Sequence, residues 1–359
     1  MINNQPEKYE PQVTIIIPSY NGSEDILSCL ESVTRSVYNN FQIIVVDNAS
    51  TDNTVDLVQK NYPKVKLIKL DTNTGFTGAC LKGFAEAQKL NSEYIALINQ
   101  DLTVDTNWLN VLVAHLNEHS ETVAVQPIIF LAQDKTVIHS AGNKIHFLGF
   151  GFTDQSGRSI GDTRAYKYTK EPKEINYASG AAVLLRMKDL EQIGLFSEEF
   201  FMYGEDLDLG WRIRLIGKKS ELVPTAKAYH RYEFHRSTRI KYEYGERNRL
   251  INLITNYRWL TVILIFPAWF IMESGILFFS LWKGWFILKI KGYMYVIVHL
   301  DKILEERRRH QKMRLAGDRK ISEDFASQVH YQEEPSVILK AVNPLFKLYW
   351  FFVRLVLWW

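Results

Sequence analysis

The feature that most constrains this chain is an alternation of short apolar runs with helical patterns over its first hundred residues. "VTIIIP" (Val13 to Pro18), "QIIVVD" (Gln42 to Asp47), "VKLIKL" (Val65 to Leu70) and the start of "YIALINQD" (Tyr94 to Asp101) are short and mostly β-branched or apolar. Such runs fit strands buried on both faces, as in a parallel sheet. Between them the spacing turns helical. One helix is expected from about Ser23, with Ile26, Leu30, Val33 and Val37 facing inward, and a second is expected to end near Tyr62. Strand–helix alternation implies an α/β, doubly wound, mainly parallel sheet that binds ligands beyond the carboxyl ends of its strands. Pro18, Asp47, Asn73 and Asp101 stand at or beyond those ends, so one crevice is expected to gather them.

Composition narrows the functional classes. With 47% hydrophobic and 23% charged residues the chain is globular rather than disordered. A net charge of +3 is too small to argue for nucleic acid as a partner. Cys29 and Cys80 fall in expected helices without metal-ligand spacing, which suits a reduced, cytosolic setting. The opening "MINNQPEKYEPQ" is polar and lacks the apolar core of a secretory signal.

Several short motifs carry candidate chemistry. Asp47, ending a strand in "VVDNASTDN", suits either a ligand hydroxyl or N–H, or an Asx turn capping the next helix. "TNTGFTGACLKG" matches neither a dinucleotide nor a P-loop pattern. Its Gly75 fits close backbone approach to a ligand or tight packing. Asp101 closes "LINQD" at a strand mouth, where one carboxylate is enough to hold Mg²⁺ against phosphates, although a capped turn would use it too. His230 ends "AKAYH" and would complete such a site, with His235 as a competitor.

"FFMYGEDLDLGWRIRLIGKK" places Glu205, Asp206 and Asp208 in a first helical turn, where negative charge is favoured. Leu207, Trp211 and Leu215 recur every four residues as a buried face. Asp208 is four before Arg212 and should pair with it, whereas four after Asp206 stands Gly210, which offers no partner. Asp206 is therefore the acid left to face a ligand.

In order, "TIIIPSYNG", "VVDNASTDNT", "NTGFTGA", "LINQD", "SGAAVLLR", "GLFSEEFFMYGEDLDLGWRIRLIGKK", "AYH" and "ERNRL" resemble the motifs of family 2 glycosyltransferases, rhamnosyltransferase-like branch, over residues 13–257. The resemblance implies a GT-A fold and an inverting transfer of a sugar from a nucleotide-diphosphate donor, with a divalent cation, Mg²⁺ or Mn²⁺, as cofactor. It implies that Pro18, Tyr20 and Asn21 border the nucleotide and that Asp47 bonds its base. Asn73, Gly75 and Asn99 would join them on the donor side. Asp101 matches the last acid of the D-x-D motif, here Asn99-Gln100-Asp101, and His230 the histidine that completes the metal site. Asp206 matches the general base, with Gly180, Glu205 and Trp211 on the acceptor and donor-sugar side. Asn99, Lys82 and Ser197 depart from the family pattern, and the Q-x-x-R-W signature of processive synthases is absent, which favours transfer of one sugar. The rivals are an inactive scaffold of the same fold and a polyprenyl-phosphate sugar transferase.

The chain is expected to divide into a polar tail (1–12), a catalytic domain (13–257) and a hydrophobic, basic helical region (258–359). "WLTVILIFPAWFIMESGILFFSLW" is long enough to span a bilayer, although Pro267 and Glu273 interrupt it. Lys289 and Lys291 suit an interfacial helix, "EERRRHQKMR" suits anionic headgroups, and Lys347 and Arg354 share one face of the last segment. Attachment to the cytoplasmic face of the cell membrane is expected, with a homo-oligomer interface as the competing use of these surfaces. The expected partners are a nucleotide sugar, a glycan or lipid-linked acceptor and the membrane surface.

Overall fold

The structure, a computed structural model, describes residues 10–232, 238–329 and 337–359. In the first half β1 (Val13–Ser19), β2 (Phe41–Asp47), β3 (Lys66–Lys69) and β4 (Tyr94–Ile98) alternate with α1 (Ile26–Thr34), α2 (Thr54–Asn61) and α3 (Gly75–Lys89). These four strands are parallel, in the order β4-β1-β2-β3. Ile16, Ile44 and Val46 face one core, while Val13, Ile15, Ile17, Ile43 and Val45 face another across the sheet. Burial on both faces explains why β1, β2 and β4 read as continuous apolar runs. Strand β3, at the end of the sheet, departs from that expectation, with Lys66 and Lys69 exposed and Leu67 and Ile68 only partly buried. Ile26, Leu30 and Val33 point inward as expected, but Val37 lies beyond the end of α1 and is exposed.

The second half departs from strict alternation. It comprises β5 (Leu102–Val104), α4 (Trp108–Glu118), β6 (Thr122–Leu131), β7 (Ile138–Ser140), β8 (Asn143–Ile145) and β9 (Gly151–Thr153). There follow α5 (Thr163–Tyr166), β10 (Lys173–Ile175), β11 (Ala182–Arg186), α6 (Met187–Ile193), α7 (Glu205–Leu215) and β12 (Lys219–His230). Strand β11 slots antiparallel between β4 and β6, and β12 runs parallel to β6. The sheet is thus mixed and mostly parallel. β12 also pairs antiparallel with β5, setting His230 opposite Leu102 and beside Asp101.

The rest of the described chain is helical, with α8 (Thr238–Ile240), α9 (Glu246–Asn256), α10 (Trp259–Trp282), α11 (Phe286–Val298), α12 (Leu300–Met313), α13 (Asp318–Ile321) and α14 (Val337–Val356). These helices share a core with α7. Leu209 and Ile213 of α7 face the sheet, whereas Leu207, Trp211 and Leu215 pack with Tyr257, Ile265, Ile276, Phe325 and Trp350. Trp211 is 0% exposed, edge-on to Tyr257 and Phe325 with ring centroids 4.7 and 5.0 Å away.

Helix α10 runs unbroken through Pro267, and Glu273 is turned into the protein against Arg249 and Lys289, with the Tyr293 hydroxyl donating to it at 2.5 Å. Lys289 is therefore buried, not interfacial. In α12, Arg307 caps the carbonyls of Ile254 and Tyr257, which leaves Arg308, Arg309 and Lys312 of that cluster exposed. The outer faces stay apolar: Ile263, Phe266, Phe270 and Phe278 of α10, Ile287 and Ile297 of α11, and Leu348, Phe352 and Leu355 of α14 are all exposed. Among the described residues α10 alone is long and apolar enough to cross a membrane, with 28% of its most apolar window buried.

Because the outer face of α7 is covered by residues after Tyr257, Trp211→Ala is expected to cost roughly 3–5 kcal/mol in denaturant unfolding. Truncation after Tyr257 is expected to abolish cooperative melting. A truncated chain that melts like the full-length protein would mean that this core is dispensable.

Candidate active site

The parallel register brings the carboxyl ends of β1 and β2 together, with Ser19 beside Asp47. Asp47 is 3% exposed; its Oδ2 accepts the Ser50 N–H at 3.1 Å, and its Oδ1 is buried without a protein partner. One oxygen thus closes the turn and the other has no protein partner. Asn48 staples the neighbouring loop, donating to Asn73 Oδ1 (3.0 Å) and the Gly75 carbonyl (2.9 Å) and accepting the Thr74 N–H (2.8 Å).

The loop after β1 is fixed from both sides. Asn21, at φ 48, donates its N–H to Ser50 Oγ and accepts the Thr51 N–H. Gln100 accepts from Ser19 Oγ (2.6 Å) and the Tyr20 N–H (3.0 Å) and returns a bond to the Tyr20 carbonyl (3.1 Å). Pro18 is buried in β1, and Tyr20 keeps its ring exposed at the rim.

Across the crevice His230 Nε2 lies 3.1 Å from Asp101 Oδ1, and the Arg231 N–H donates to the Asp101 carbonyl. Burial pushes the Asp101 carboxyl up, but the hydrogen bond and charge of His230 outweigh it and hold the group below its usual range. His139 stands edge-on to His230, ring centroids 5.1 Å apart, and burial drives it down to about 3, so it is neutral. His235 lies outside the described residues. Among the described residues no three His, Cys, Asp or Glu side chains are grouped to enclose a metal. Asp101 and His230, one hard oxygen and one imidazole, nevertheless fit a divalent cation whose other ligands come from water and substrate.

The third wall is the start of α7. Asp206 Oδ2 accepts the Gly180 N–H at 3.2 Å and Oδ1 accepts the Leu207 N–H at 2.8 Å. Gly180 adjoins Ala181, whose carbonyl accepts the Asn99 N–H at 2.9 Å, so Asp206 and Asp101 belong to one continuous surface. Gly75 closes the ring, because at φ +74 a Cβ there would fall 2.2 Å from the Phe201 carbonyl. The close approach that Gly75 permits here is to protein backbone.

Three neighbouring acids have three different states. Burial pushes Asp206 up to about 6, against the two N–H bonds that favour its charge. Glu205 is 6% exposed with Oε2 unpaired, and burial plus the Asp206 charge raise it well above the carboxylate range, so it is neutral. Asp208 is held below its usual value, because the Arg212 and His310 charges and the Asn256 hydrogen bond outweigh its burial. Its 2.7 Å pair with Arg212 is 1–2% exposed, a core ion pair rather than the surface pair that spacing alone suggests.

Trp211 is not in this cluster, since it lies in the core on the far face of α7. Asn99 contributes backbone, and its Oδ1 is buried and unpaired. Asn48, Gln100 and His139 went unassigned from sequence. Asn48 and Gln100 carried a weak signal, a polar residue beside a strand-end motif, and His139, in the middle of β7, carried none.

These elements, four strand-end loops and a helix start around one crevice, match a known architecture. Residues 14–194 match the family model "Glycosyl transferase family 2". The chain is a family 2 glycosyltransferase. It is 25% identical over 230 residues to N-acetylglucosaminyl-diphospho-decaprenol L-rhamnosyltransferase of Mycobacterium tuberculosis, covering 60% of this chain and 75% of the relative. It is also 24% identical over 217 residues to poly-beta-1,6-N-acetyl-D-glucosamine synthase of Staphylococcus epidermidis, covering 60% of this chain and 48% of that one. In fold it resembles GalNAc-T7 solved with UDP, GalNAc and Mn²⁺, with TM-score 0.53 and 15% identity over 68% of this chain and 48% of that chain. The family and the GT-A fold agree with the sequence-based expectation.

Asp208→Asn is expected to cost roughly 3–5 kcal/mol, because it leaves Arg212 buried without its counter-charge. Asp206→Asn is expected to do the reverse. A carboxyl raised from about 4 to about 6 costs stability once pH rises through that window, so the amide should stabilise by about 1–3 kcal/mol at pH 7.5 and by little at pH 4. Denaturant titrations at the two pH values check both signs.

Proposed function

We propose that this glycosyltransferase moves one sugar, with inversion, from a nucleotide-diphosphate donor to a lipid-linked or cell-surface glycan precursor at the cytoplasmic membrane face. The observation that carries this reading is the contrast among the three acids of α7. Asp206 lines the crevice and is tuned to about 6, Asp208 is locked to Arg212, and Glu205 is buried. A base with a pKa near the working pH is the efficient acceptor for a hydroxyl proton. Double displacement would need a second ionised carboxylate as nucleophile, and neither neighbour supplies it. Inversion in a single displacement is the reading that fits.

In this mechanism the donor's base and ribose lie against Asp47, whose unpaired oxygen accepts an N–H or O–H, with Pro18, Tyr20, Asn21, Asn73, Gly75 and Asn99 around them. Asp206 orients the acceptor hydroxyl and takes its proton as oxygen bonds to the anomeric carbon and the nucleoside diphosphate departs. Asp101 and His230 would hold Mg²⁺ or Mn²⁺. Such a cation supplies charge neutralisation for the leaving diphosphate. Gly180 and Glu205 shape the sugar side, Gly180 by its N–H on Asp206.

The relatives' lipid-linked and polysaccharide chemistry supports the acceptor class, as does the apolar outer surface of α10, α11 and α14. Residues 13–257 would carry the chemistry and 258–359 the membrane contact, with 1–12 as a tail. Contiguous exposed apolar side chains of this kind mark interaction surfaces, and the exposed Arg308, Arg309 and Lys312 suit anionic headgroups.

Asp206→Asn should lower nucleotide release from the donor sugar by roughly 10²–10⁴-fold while UDP, GDP or dTDP binding is retained, and wild-type turnover should fall on the acid side with a limb near pH 6. Asp101→Ala and excess chelator should each weaken nucleotide-diphosphate binding; full activity in chelator would remove the cation from the scheme.

Full-length protein should float with anionic liposomes, and high salt should release only part of it, because apolar burial is not screened. Protein that ignores liposomes and self-associates instead would assign these faces to an oligomer.

A further inference from the structure

The motif "ERNRL", Glu246 to Leu250, opens α9 far from the crevice loops in sequence, yet two of its side chains, Arg247 and Asn248, are buried and bond the segment leading into Asp206. Asn248 is 0% exposed. Its amide donates to the carbonyls of Met202 (3.0 Å) and Tyr203 (2.6 Å), and its oxygen accepts Arg247 Nε (2.9 Å). Asn252, 1% exposed, donates to the Gly204 carbonyl at 3.0 Å. Arg247 donates to the Glu199 carbonyl at 3.0 Å, its guanidinium lying over the rings of Tyr244 and Tyr295.

These bonds meet a specific need. Tyr203 (φ 66) and Gly204 (φ 88) are consecutive left-handed residues. Such a conformation is unfavourable for a bulky side chain and persists only where the surroundings over-determine it. The turn directs three successive carbonyls, those of Met202, Tyr203 and Gly204, at α9, and three amide N–H bonds from Asn248 and Asn252 take them up. A primary amide suits this task because it supplies two donors without a charge. The next two residues are Glu205 and Asp206.

We propose that Asn248 and Asn252 are positioning residues for Asp206, clamping the left-handed turn that sets where α7 begins. The proposal rests on the reading of Asp206 as the general base. Asp206 touches the crevice wall through two N–H bonds, from Gly180 on one element and Leu207 on its own helix. A drift of the helix start therefore lengthens the bond to Gly180 first, misaligning the carboxylate and removing a donor that favours its charge. Of the donor-side residues, Pro18, Asn21 and Asp47 lie on other elements, held by bonds that do not involve the clamp, whereas Gly75 meets the segment at the Phe201 carbonyl, one residue before it.

The test compares full-length wild type, Asn248→Ala, Asn252→Ala and Asp206→Asn in detergent micelles, using whichever UDP-, GDP- or dTDP-sugar the wild type turns over. Each rate is normalised to the folded fraction from thermal melting. Both asparagine variants are expected to lose about 10- to 100-fold in kcat with donor KM within about two-fold, as a misplacement of the reacting group by an ångström predicts. Their acid limb should also move to higher pH. Asn252→Ala, which removes one bond, decides the matter if Asn248→Ala does not fold. Normalised kcat and acid limb equal to wild type in the folded variants, with Asp206→Asn inactive, would overturn the clamp alone. Turnover by Asp206→Asn with an unmoved acid limb would overturn the base assignment and the clamp with it.

Discussion

The ion pair between Asp208 and Arg212 is the interaction on which the site depends. Both partners are almost fully buried, and a buried charge is tolerable only when paired and hydrogen-bonded. Here the pairing is complete. Arg212 also donates to the carbonyls of Ile193, Gly194 and Leu195, and Asp208 also accepts from Asn256. The pair thereby ties α7 to the end of α6 and to α9 at once. With Leu209 and Ile213 against the sheet and Trp211 against the C-terminal helices, the body of α7 is held against rotation and sliding, while its first turn is held by the asparagines of α9. Rotation would bury an unpaired charge, and sliding would break knob contacts on two faces. Asp206 inherits that rigidity.

The same rigidity separates the chemistry of three neighbouring acids. Identical carboxyl groups within one helical turn would otherwise repel and titrate together. Asp208 is given a cation, Glu205 is denied water and stays protonated, and Asp206 is left half-buried with two N–H donors. A neutral Glu205 spares Asp206 the like charge of its neighbour, so the site needs one mobile proton rather than two.

Much of this was legible in the sequence, for reasons that are local. The all-apolar strands announce burial on both faces, and four-residue spacing announces both the Leu207–Trp211–Leu215 stripe and the Asp208–Arg212 pair. Strand-end position announces Asp47 and Asp101. What escaped depends on partners distant in the chain. The antiparallel insertion of β11 is a pairing choice between β4 and β6 that no local pattern encodes. Trp211 was assigned both to the buried stripe and to the sugar side, and tertiary packing allows only the first. Val37 continued a helical period past the point where α1 ends. Asn48, Gln100 and Asn248 act through bonds to main-chain groups, which leave no mark on periodicity.

The C-terminal helices invert the usual division of a soluble surface. Glu273, Lys289 and Arg249 meet inside, where Tyr293 and Glu246 complete their bonds, while Phe270, Phe278 and Ile287 remain outside. Read from sequence, Glu273 within an apolar helix argues against contact with hydrocarbon. With its charge neutralised by the protein, that objection lapses, because the outward face of α10 presents no charge to lipid over this stretch. The ionic cluster also joins α9, α10 and α11 through Arg249, Glu273 and Lys289. The apolar surface and the asparagines beneath the Asp206 turn are thus carried by helices that share one buried charge network. A displacement of α10 or α11 would disturb that network, and α9 is the element through which it would reach the wall that carries Asp206.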